Sequence, residues 1–340
     1  MKLLLVKTSS FGDVLHTLPA LNDLRRHRPE VRVHWVVEEA FARIPAWSPQ
    51  VEQVIPVAWR RWRGGVWQAL RSGEPEAFWR ALRGQSFETI LDAQGLIKSA
   101  LMARMAHGTR HGLDRASARE PWAALLYDRT HTVPVALHAT ERLRRLFAAA
   151  LKLPPPHGPA DFGLEAARFV SSDIHADGPT LVFLHGTTWV SKLWPVAHWQ
   201  ELARLASQAG MRVELPWGNA TERQRAEEIA RAAPSACRSL PPLTLEQLAA
   251  RLAAAQAVVA TDTGPAHLAA ALATPTIGLY GPTPTERIGI VGRHVTRLCG
   301  PCPLAPCRQR VCPLKEQPNG CMRALTPQQV WQTVTEQLGM

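Results

Sequence analysis

The sequence contains no long hydrophobic run, and no segment approaches the ~18 continuous apolar residues that a membrane span requires. Its first residues also lack the apolar core of a signal peptide, because only residues 3–6 separate a lysine from a polar stretch. These two absences predict a cytoplasmic protein. Apolar residues still make up 46% of the 340 residues, a globular composition that suits two domains of about 150 residues each.

Cysteine is scarce, with six residues in all and none before Cys237. A disulfide framework is therefore not expected in a cytoplasmic protein. The remaining five form one CxxC pair followed by single cysteines, which matches the spacing of zinc sites only loosely. A structural metal and reduced or oxidisable thiols both stay open for this group, and no catalytic metal is predicted. The five residues are Cys299, Cys302, Cys307, Cys312 and Cys321.

Acidic residues are few relative to basic ones, and the formal net charge is +11. About +9 of this charge lies before residue 155, so the positive field belongs mainly to the first half. An anionic partner is expected to dock there. Nucleic acid, an acidic membrane surface and a phosphorylated or carboxylated substrate would all satisfy that field, and charge alone does not choose among them.

Short apolar runs alternate with segments of helical spacing in both halves, which predicts Rossmann-like parallel sheets. A proline-rich stretch at 153–159 predicts a linker, which gives domains at 1–155 and 156–325 and a C-terminal helix at 326–340. The predicted strands are 2–8, 31–37, 89–92, 181–184, 212–215, 257–261 and 276–280. The predicted helices include 196–209, 222–233, 245–255, 266–273 and 327–338. Ligand sites are expected beyond the carboxyl ends of the strands.

The first such loop contains Ser9, Ser10, Gly12 and Asp13, between the first strand and a helix. An aspartate in the first turn of a helix is commonly a cap or a partner of the helix dipole. The alternative is a general base that takes a proton from an acceptor hydroxyl as its oxygen attacks an anomeric carbon. The residues alone leave both interpretations open.

Two loops of the second half have the features of phosphate sites. Thr187, Thr188 and Lys192 follow a strand and could cradle a diphosphate, or form a hydroxyl-capped turn with a solvated lysine. The segment 262–267 opens a helix whose free N–H groups could bind an anion, with His267 one turn in; a capped helix with a buried histidine is the alternative. Neither loop is a Walker motif or a complete GxGxxG, which disfavours kinases and dehydrogenases and suggests a nucleotide diphosphate.

Basic side chains of the first half cluster at Arg60, Arg61 and Arg63, with Lys98 and Arg119 downstream. Arginine suits the carboxylates and phosphates of an acidic saccharide. A solvated charge run and stacking of the interleaved tryptophans on nucleobases are the competing interpretations.

Several ordered motifs together make the chain resemble the ADP-heptose:lipopolysaccharide heptosyltransferases, and within that family most nearly the heptosyltransferase I group. They are residues 7–13, 35–39, 55–57, 92–96, 119–121, the turn of Thr187, Thr188 and Lys192, and residues 215–218 and 262–264. The resemblance runs through most of the length.

This resemblance implies an α/β fold of the GT-B type, two Rossmann-like domains with parallel sheets facing a central cleft. It implies an inverting transfer of L-glycero-D-manno-heptose from ADP-heptose, bound by the second domain, to the Kdo of Kdo-lipid A, bound by the first. Asp13 would be the general base, and Lys192 would offset charge on the departing ADP. No cofactor or metal is implied.

The same resemblance assigns the residues around the substrates. The donor-binding residues are Ser9, Ser10, Gly12, Thr187, Thr188, Lys192, Glu222, Leu243, Asp262, Thr263, Gly264 and His267. The acceptor-binding residues are Arg60, Arg61, Arg63, Lys98 and Arg119. Gly64 and Gly65 depart from the family pattern, which favours another basic residue after Arg63.

The expected setting is the cytoplasmic face of the inner membrane, with peripheral contact through charge and no nucleic-acid partner. The cysteine-rich tail is more similar to other members of the wider family, so addition of the second heptose, or transfer from another nucleotide sugar, stays an alternative. A noncatalytic nucleotide- or nucleic-acid-binding module is the competing hypothesis from a different class of protein.

Overall fold

The computed structural model describes residues 1–169, 178–316 and 318–340. It divides the chain into two compact units, Met1–Gly163 (unit 1) and Leu164–Met340 (unit 2). Each unit has its own six-stranded sheet, in which all pairings are parallel. Among the described residues, no helix has the length and apolar character needed to cross a bilayer.

Unit 1 is organised around a sheet with strand order β3-β2-β1-β4-β5-β6. The central strand reads Leu-Leu-Leu-Val after its first residue, and these four side chains are fully buried because helices cover both faces of the sheet. The strands are β1 (Lys2–Val6), β2 (Arg32–Glu38), β3 (Val51–Val57), β4 (Ser86–Asp92), β5 (His107–Leu113) and β6 (Arg129–His131).

The helices of unit 1 connect these strands and cover the sheet. They are α1 (Phe11–Leu15), α2 (Leu18–His27), α3 (Trp59–Gly64), α4 (Val66–Ser72), α5 (Glu74–Arg83), α6 (Ile97–Met105) and α7 (Ala139–Leu151). Short 3-10 helices occupy Glu39–Phe41, Pro45–Trp47 and Pro121–Leu126. The buried Arg144 of α7 is paired with Asp23 of α2, with 2.7 Å between Nε and Oδ2, which fixes these two helices against each other.

The division between the units falls after residue 163, eight residues beyond the predicted boundary at 155. The proline-rich stretch packs on unit 1, because Arg144 donates hydrogen bonds to the carbonyl oxygens of His157 and Gly158. Asp161 is further held by an ion pair with Arg26. These contacts attach the predicted linker to the helices of unit 1.

Unit 2 repeats the architecture with strand order β12-β11-β10-β7-β8-β9. Its strands are β7 (Thr180–Leu184), β8 (Arg212–Leu215), β9 (Cys237–Ser239), β10 (Ala257–Thr261), β11 (Thr276–Tyr280) and β12 (Val295–Cys299). Every residue of β7, β10 and β11 is buried, which explains their continuous apolar sequences.

The helices of unit 2 are α8 (Val196–Gln208), α9 (Ala220–Ala230), α10 (Leu245–Ala254), α11 (Gly264–Ala271), α12 (Thr285–Ile288), α13 (Gly320–Ala324) and α14 (Pro327–Leu338). Short 3-10 helices lie at Ala166–Arg168 and Val190–Lys192. Trp194 and Trp199 pack edge to face in the core, and the Trp194 indole donates a hydrogen bond of 2.9 Å to the Leu325 carbonyl. This bond ties the C-terminal helices to the body of unit 2.

Both strand orders are those of Rossmann folds, in which the order reverses between the first and fourth strands. The reversal lies between β1 and β4 in unit 1 and between β7 and β10 in unit 2. Loops diverge at such a point and leave a crevice beyond the carboxyl ends of the two strands. These two switch points are therefore where ligand-binding residues are expected.

Candidate active site

The loop after β1 carries Asp13 at the switch point of unit 1, in the first turn of α1. Its Oδ2 accepts hydrogen bonds of 2.8 Å from both the backbone N–H and the hydroxyl of Ser10. Its Oδ1 lies 3.6 Å from Nζ of Lys7, and the side chain is 40% exposed. The helix-cap contact anticipated from the sequence is present, and it leaves the carboxylate open to solvent.

The charge state of Asp13 is set by opposing effects. Desolvation by the surrounding protein raises the pKa of this carboxyl, while the Lys7 ammonium and the Ser10 hydrogen bonds outweigh it and lower the pKa to about 2. Asp13 is therefore a carboxylate at every physiological pH and can accept a proton.

Gln94 holds the Asp13 loop in place, a function that the sequence did not indicate. Its Oε1 accepts hydrogen bonds from the N–H groups of Thr8 and Ser9, and its Nε2 donates to the Ser9 carbonyl. Gln94 follows β4, so this clamp joins the two loops that diverge at the switch point. The only signal in the sequence was its place in the 92–96 motif.

Asp92, the last residue of β4, holds the loop that carries Gln94 through hydrogen bonds to its backbone. The buried carboxylate accepts hydrogen bonds from the hydroxyls of Tyr127 and Ser99, at 2.7 and 2.8 Å, and from the N–H groups of Gln94 and Gly95. Burial raises the pKa of Asp92 despite these hydrogen bonds, and burial beside Asp92 also raises the pKa of Tyr127. Full burial makes this carboxyl a structural support for the loop.

The arginines assigned to the acceptor lie on α3, which follows β3 at the same edge of the sheet. Arg61 is not free, because its guanidinium pairs with Glu39 at 3.0 Å and with Glu74 at 2.7 Å, and these hydrogen bonds raise its pKa. Arg60 is exposed with its guanidinium 5.7 Å from the centre of the Phe41 ring, and Arg63 is exposed. Arg60 and Arg63 are thus better placed than Arg61 to meet an anion.

Lys98, in the first turn of α6, and Arg119, in the loop after β5, belong to two segments that the structure brings together. Glu120 accepts a hydrogen bond of 2.7 Å from the N–H of Ile97, and its own N–H donates to the Gly95 carbonyl. The start of α6 and the loop after β5 are therefore joined. This contact places both cations at the carboxyl edge of the unit 1 sheet.

The switch point of unit 2 is centred on an ion pair between Lys192 and Asp262. Nζ of Lys192 lies 2.8 Å from Oδ2 of Asp262, and the two side chains are 12% and 8% exposed. The ammonium also lies 4.3 Å from the centre of the Trp189 ring. A cation held this firmly beside the start of α11 can compensate negative charge on a diphosphate.

Asp262 is held by two further hydroxyls. Thr283, in the loop after β11, donates to its carboxylate at 2.8 Å, and Thr187 donates to its carbonyl at 3.0 Å. Thr283 was absent from the predicted site, because its part depends on the pairing of β11 with β10, which the sequence does not reveal. Thr188 is exposed in the same loop, and Thr263 is the N-cap of α11.

Glu222 reaches the same loop from α9. Its carboxylate accepts a hydrogen bond of 2.8 Å from the Gly218 N–H, and a Cβ at Gly186 would lie 2.5 Å from its carboxyl carbon. Only glycine fits at 186 without moving Glu222. His267 is buried in the first turn of α11, one turn from Gly264.

Leu243 lies in the loop between the edge strand β9 and α10. It is partly buried and directly precedes Thr244, the N-cap of α10. Across the described part of the chain, no three His, Cys, Asp or Glu side chains are arranged to hold a metal ion.

Comparison with known proteins gives a consistent result. The family model described as glycosyltransferase family 9 (heptosyltransferase) matches residues 76–317. The chain is 48% identical to lipopolysaccharide heptosyltransferase 1 of Pseudomonas aeruginosa over 97% of this chain and 96% of that protein. A solved structure described as E. coli heptosyltransferase WaaC with ADP superposes with a TM-score of 0.89 at 42% identity, covering 99% of this chain and 100% of that one.

A second WaaC structure, described as containing ADP-2-deoxy-2-fluoro heptose, gives a TM-score of 0.85 at 41% identity and covers 99% of both chains. The structural match confirms the predicted fold class, an α/β fold of the GT-B type with two Rossmann-like domains. Membership of an enzyme family favours the transferase hypothesis over a noncatalytic binding module. By family model, sequence identity and fold together, the chain belongs to glycosyltransferase family 9 and is a heptosyltransferase.

Proposed function

We propose that the protein transfers L-glycero-D-manno-heptose from ADP-heptose to the Kdo residue of Kdo-lipid A, with inversion at the anomeric carbon. The reaction takes place at the cytoplasmic face of the inner membrane. The observation that carries the proposal is the Asp13 carboxylate, which is ionised, 40% exposed and fixed at the switch point of unit 1.

The chemistry is a single displacement. Asp13 takes the proton of an acceptor hydroxyl as the hydroxyl oxygen forms a bond to the anomeric carbon of the heptose. The bond between that carbon and the β-phosphate oxygen of ADP breaks, and ADP leaves with the bonding electrons. Attack from the face opposite the leaving group inverts the anomeric centre.

The donor diphosphate binds at the switch point of unit 2. Lys192 compensates the charge that develops on ADP, and the N-terminus of α11 offers N–H groups from Gly264 onward. Asp262, Thr187 and Thr283 position Lys192 and its loop through the contacts described above. The solved WaaC structures described with ADP and with a fluorinated ADP-heptose support this choice of donor.

The acceptor binds at the carboxyl edge of the unit 1 sheet. Arg60, Arg63, Lys98 and Arg119 supply cations for the carboxylate of Kdo and the phosphates of lipid A. Arg61 contributes less, because an anion would have to displace Glu39 and Glu74. The same positive face gives peripheral attachment to the anionic membrane.

Asp13→Asn tests the proposal most directly. The amide keeps the size of the side chain but cannot take the proton, so we expect kcat to fall by about 100- to 10,000-fold with unchanged ADP affinity. ADP release is followed with ADP-heptose and Kdo-lipid A, and ADP binding is measured by calorimetry. Asp161→Asn, which changes an exposed aspartate of the same unit, is the matched control and should keep normal turnover.

Near-normal kcat in Asp13→Asn would remove Asp13 from the base role. The choice of acceptor is tested in the same assay with Kdo-lipid A and with an acceptor that already carries the first heptose. Faster turnover of the heptosylated acceptor would assign the protein to the second addition instead.

A further inference from the structure

Four large apolar side chains are exposed on two neighbouring helices of unit 1. Ile97 and Leu101 lie four residues apart on α6, so they share one face of that helix. Trp122 and Leu125 lie three residues apart in the 3-10 helix Pro121–Leu126, where three residues make a full turn, so they also share a face. These four side chains, which are between 40% and 65% exposed, are called the apolar patch.

The two helices are packed against each other beside the apolar patch. Ala100 of α6 and Ala123 of the 3-10 helix belong to one small buried cluster. The Glu120 carboxylate also accepts a hydrogen bond of 2.7 Å from the Ile97 N–H. Because Ala100 directly precedes Leu101 and lies one turn after Ile97, the exposed face of α6 adjoins this contact. The apolar patch is therefore one surface formed by two helices.

Basic side chains lie around the apolar patch. Arg104 is exposed one turn further along the same face of α6. The Arg115 guanidinium lies 4.9 Å from the centre of the Trp122 ring, and Arg119 is exposed just before the 3-10 helix. Between residues 97 and 126 the chain has five Lys or Arg and two Asp or Glu, so the charge around the patch is positive.

This combination suits one kind of partner, a lipid bilayer with anionic head groups. The interface of a bilayer accepts apolar side chains at the level of the upper acyl chains, and tryptophan is typical of that depth. Arginine covers apolar groups with its methylene stem while its guanidinium stays beside the lipid phosphates. A single membrane surface would therefore satisfy the patch and the cations around it.

A second copy of the chain fits the patch less well. A twofold interface brings the same surface of both subunits together, so Arg104 and Arg115 would be brought near their own counterparts. Stable interfaces also bury roughly 800 Å² on each partner, and four side chains that are about half exposed supply only part of that area. A nucleic acid would use the cations but leave the leucine and isoleucine side chains without a contact.

We propose that the apolar patch inserts into the interfacial layer of an anionic membrane and acts as an apolar anchor. Attachment then has two parts, an attraction from the cations that salt screens and a contribution from the patch that salt does not screen. In one respect the inference rests on the proposed function, because Lys98 and Arg119 adjoin the patch and would meet an acceptor lipid in the same membrane. The anchor would hold these cations at the membrane surface, where the sugars of that lipid are accessible.

Binding of the full-length protein to vesicles of phosphatidylcholine and phosphatidylglycerol, without donor or acceptor, tests the anchor. The double variant Leu101→Ser, Leu125→Ser should bind at least about tenfold more weakly than the wild type, and by a similar factor at low and at high salt. The double variant Leu304→Ser, Val311→Ser removes two apolar side chains of similar exposure in unit 2 and should bind like the wild type. All four positions are exposed, so both variants should fold.

A second measurement follows Trp122 itself. Brominated lipid in the vesicles should quench the tryptophan fluorescence of the wild type, and clearly less that of Trp122→Phe, which keeps an aromatic ring for binding but loses the fluorophore. Equal quenching of these two proteins would overturn the proposal. So would equal vesicle binding by the wild type and Leu101→Ser, Leu125→Ser, or a difference between them that vanishes at high salt.

Two further measurements on Leu101→Ser, Leu125→Ser separate the anchor from other roles of the patch. With a water-soluble acceptor that lacks acyl chains, this variant should have the kcat and ADP affinity of the wild type, because no bilayer is involved; a lower kcat would overturn the proposal. A wild-type dimer that becomes a monomer in the variant would identify a subunit interface instead. Absence of heptose transfer by the wild type would refute the proposed function and leave the vesicle result intact, so the two proposals fail separately.

Discussion

At the scale of single residues, the Asp13 carboxylate is ionised at the working pH but is a weak base. A pKa of about 2 keeps it ionised, yet a general base works best when its pKa lies near the working pH. The Lys7 ammonium, 3.6 Å away and buried, is the largest of the influences that lower this pKa. Lys7 therefore sets the proton affinity of the proposed base, and acceptor binding would raise that affinity if it displaced Lys7.

Replacing Lys7 tests this coupling. In Lys7→Met we expect the pKa of Asp13 to rise from about 2 toward its ordinary value of 3.8. A base works only when deprotonated, so the loss of activity on acidification should begin at a higher pH than in the wild type. The pKa is measured by ¹³C NMR of the aspartate carboxyls, down to the lowest pH at which the protein stays folded. Lys2→Met, at the exposed first residue of β1, the strand that Lys7 follows, should leave the titration unchanged.

An Asp13 titration that is the same in Lys7→Met and in the wild type would contradict this coupling. A shift of the loop is the confounding effect to exclude, because Lys7 also donates a hydrogen bond to the Ala93 carbonyl. Lys7→Gln removes the charge but keeps a donor for that carbonyl. In this variant the loop should stay in place while the pKa of Asp13 still rises.

The sequence located the charged residues of the site better than their partners. Asp13, Lys192 and Asp262 could be proposed from the sequence because each lies in the segment that follows a predicted strand. The ion pair between Lys192 and Asp262 could not, since it depends on β7 lying beside β10, although the first residues of these strands, Thr180 and Ala257, are 77 positions apart. The neutralisation of Arg61 by Glu39 and Glu74 escaped prediction for the same reason.

At the scale of elements, the loops after β1 and β4 form one unit because Gln94 bridges them. In Gln94→Ala the buried N–H of Thr8 loses its acceptor, so we expect the free energy of unfolding to fall by about 2 kcal/mol. The Asp13 loop would become mobile, and kcat should fall more than the affinity for ADP. Unfolding in urea and hydrogen exchange of the Thr8 and Ser9 amides provide the measurements.

Gln85→Ala is the matched control, because Gln85 directly precedes β4, the strand that comes before Gln94. Its amide donates a hydrogen bond to the exposed Gln53 and, within the described residues, does not contact the Asp13 loop. This variant should leave both the amide exchange of Thr8 and kcat unchanged. Equal protection of Thr8 in Gln94→Ala and the wild type would show that the clamp does not hold the loop.

Central strands were predictable from the sequence and edge strands were not. β8, β10 and β11 have the predicted bounds, and β10 and β11 are buried along their whole length, which favours a mostly apolar sequence. The peripheral strands β3, β5, β6, β9 and β12 were not predicted, since partial exposure admits charged and polar residues that interrupt the pattern. Most helix bounds differ by one to three residues, where caps rather than periodicity decide.

At the scale of the whole molecule, the charge of +11 is concentrated in the first half of the chain. We expect the double variant Arg60→Glu, Arg63→Glu to bind vesicles containing anionic phospholipid at least about tenfold more weakly than the wild type. ADP affinity should not change. Sedimentation with vesicles at low and high salt measures the effect, which should disappear at high salt because the attraction is screened.

Arg204→Glu with Arg231→Glu, at exposed positions of unit 2, makes the same change of net charge and serves as the control. Equal weakening by both double variants would mean that total charge, rather than the face formed by α3, attracts the membrane.

The ring of Trp189 has two cations near it, the Lys192 ammonium at 4.3 Å and the Arg310 guanidinium at 5.9 Å. Indole fluorescence depends on nearby charge, so the emission of Trp189 reports on the positions of both cations. A phosphate that draws Lys192 away would change the fluorescence of Trp189, and so would a movement of Arg310. The difference spectrum against Trp189→Phe would isolate that signal from the other eleven tryptophans.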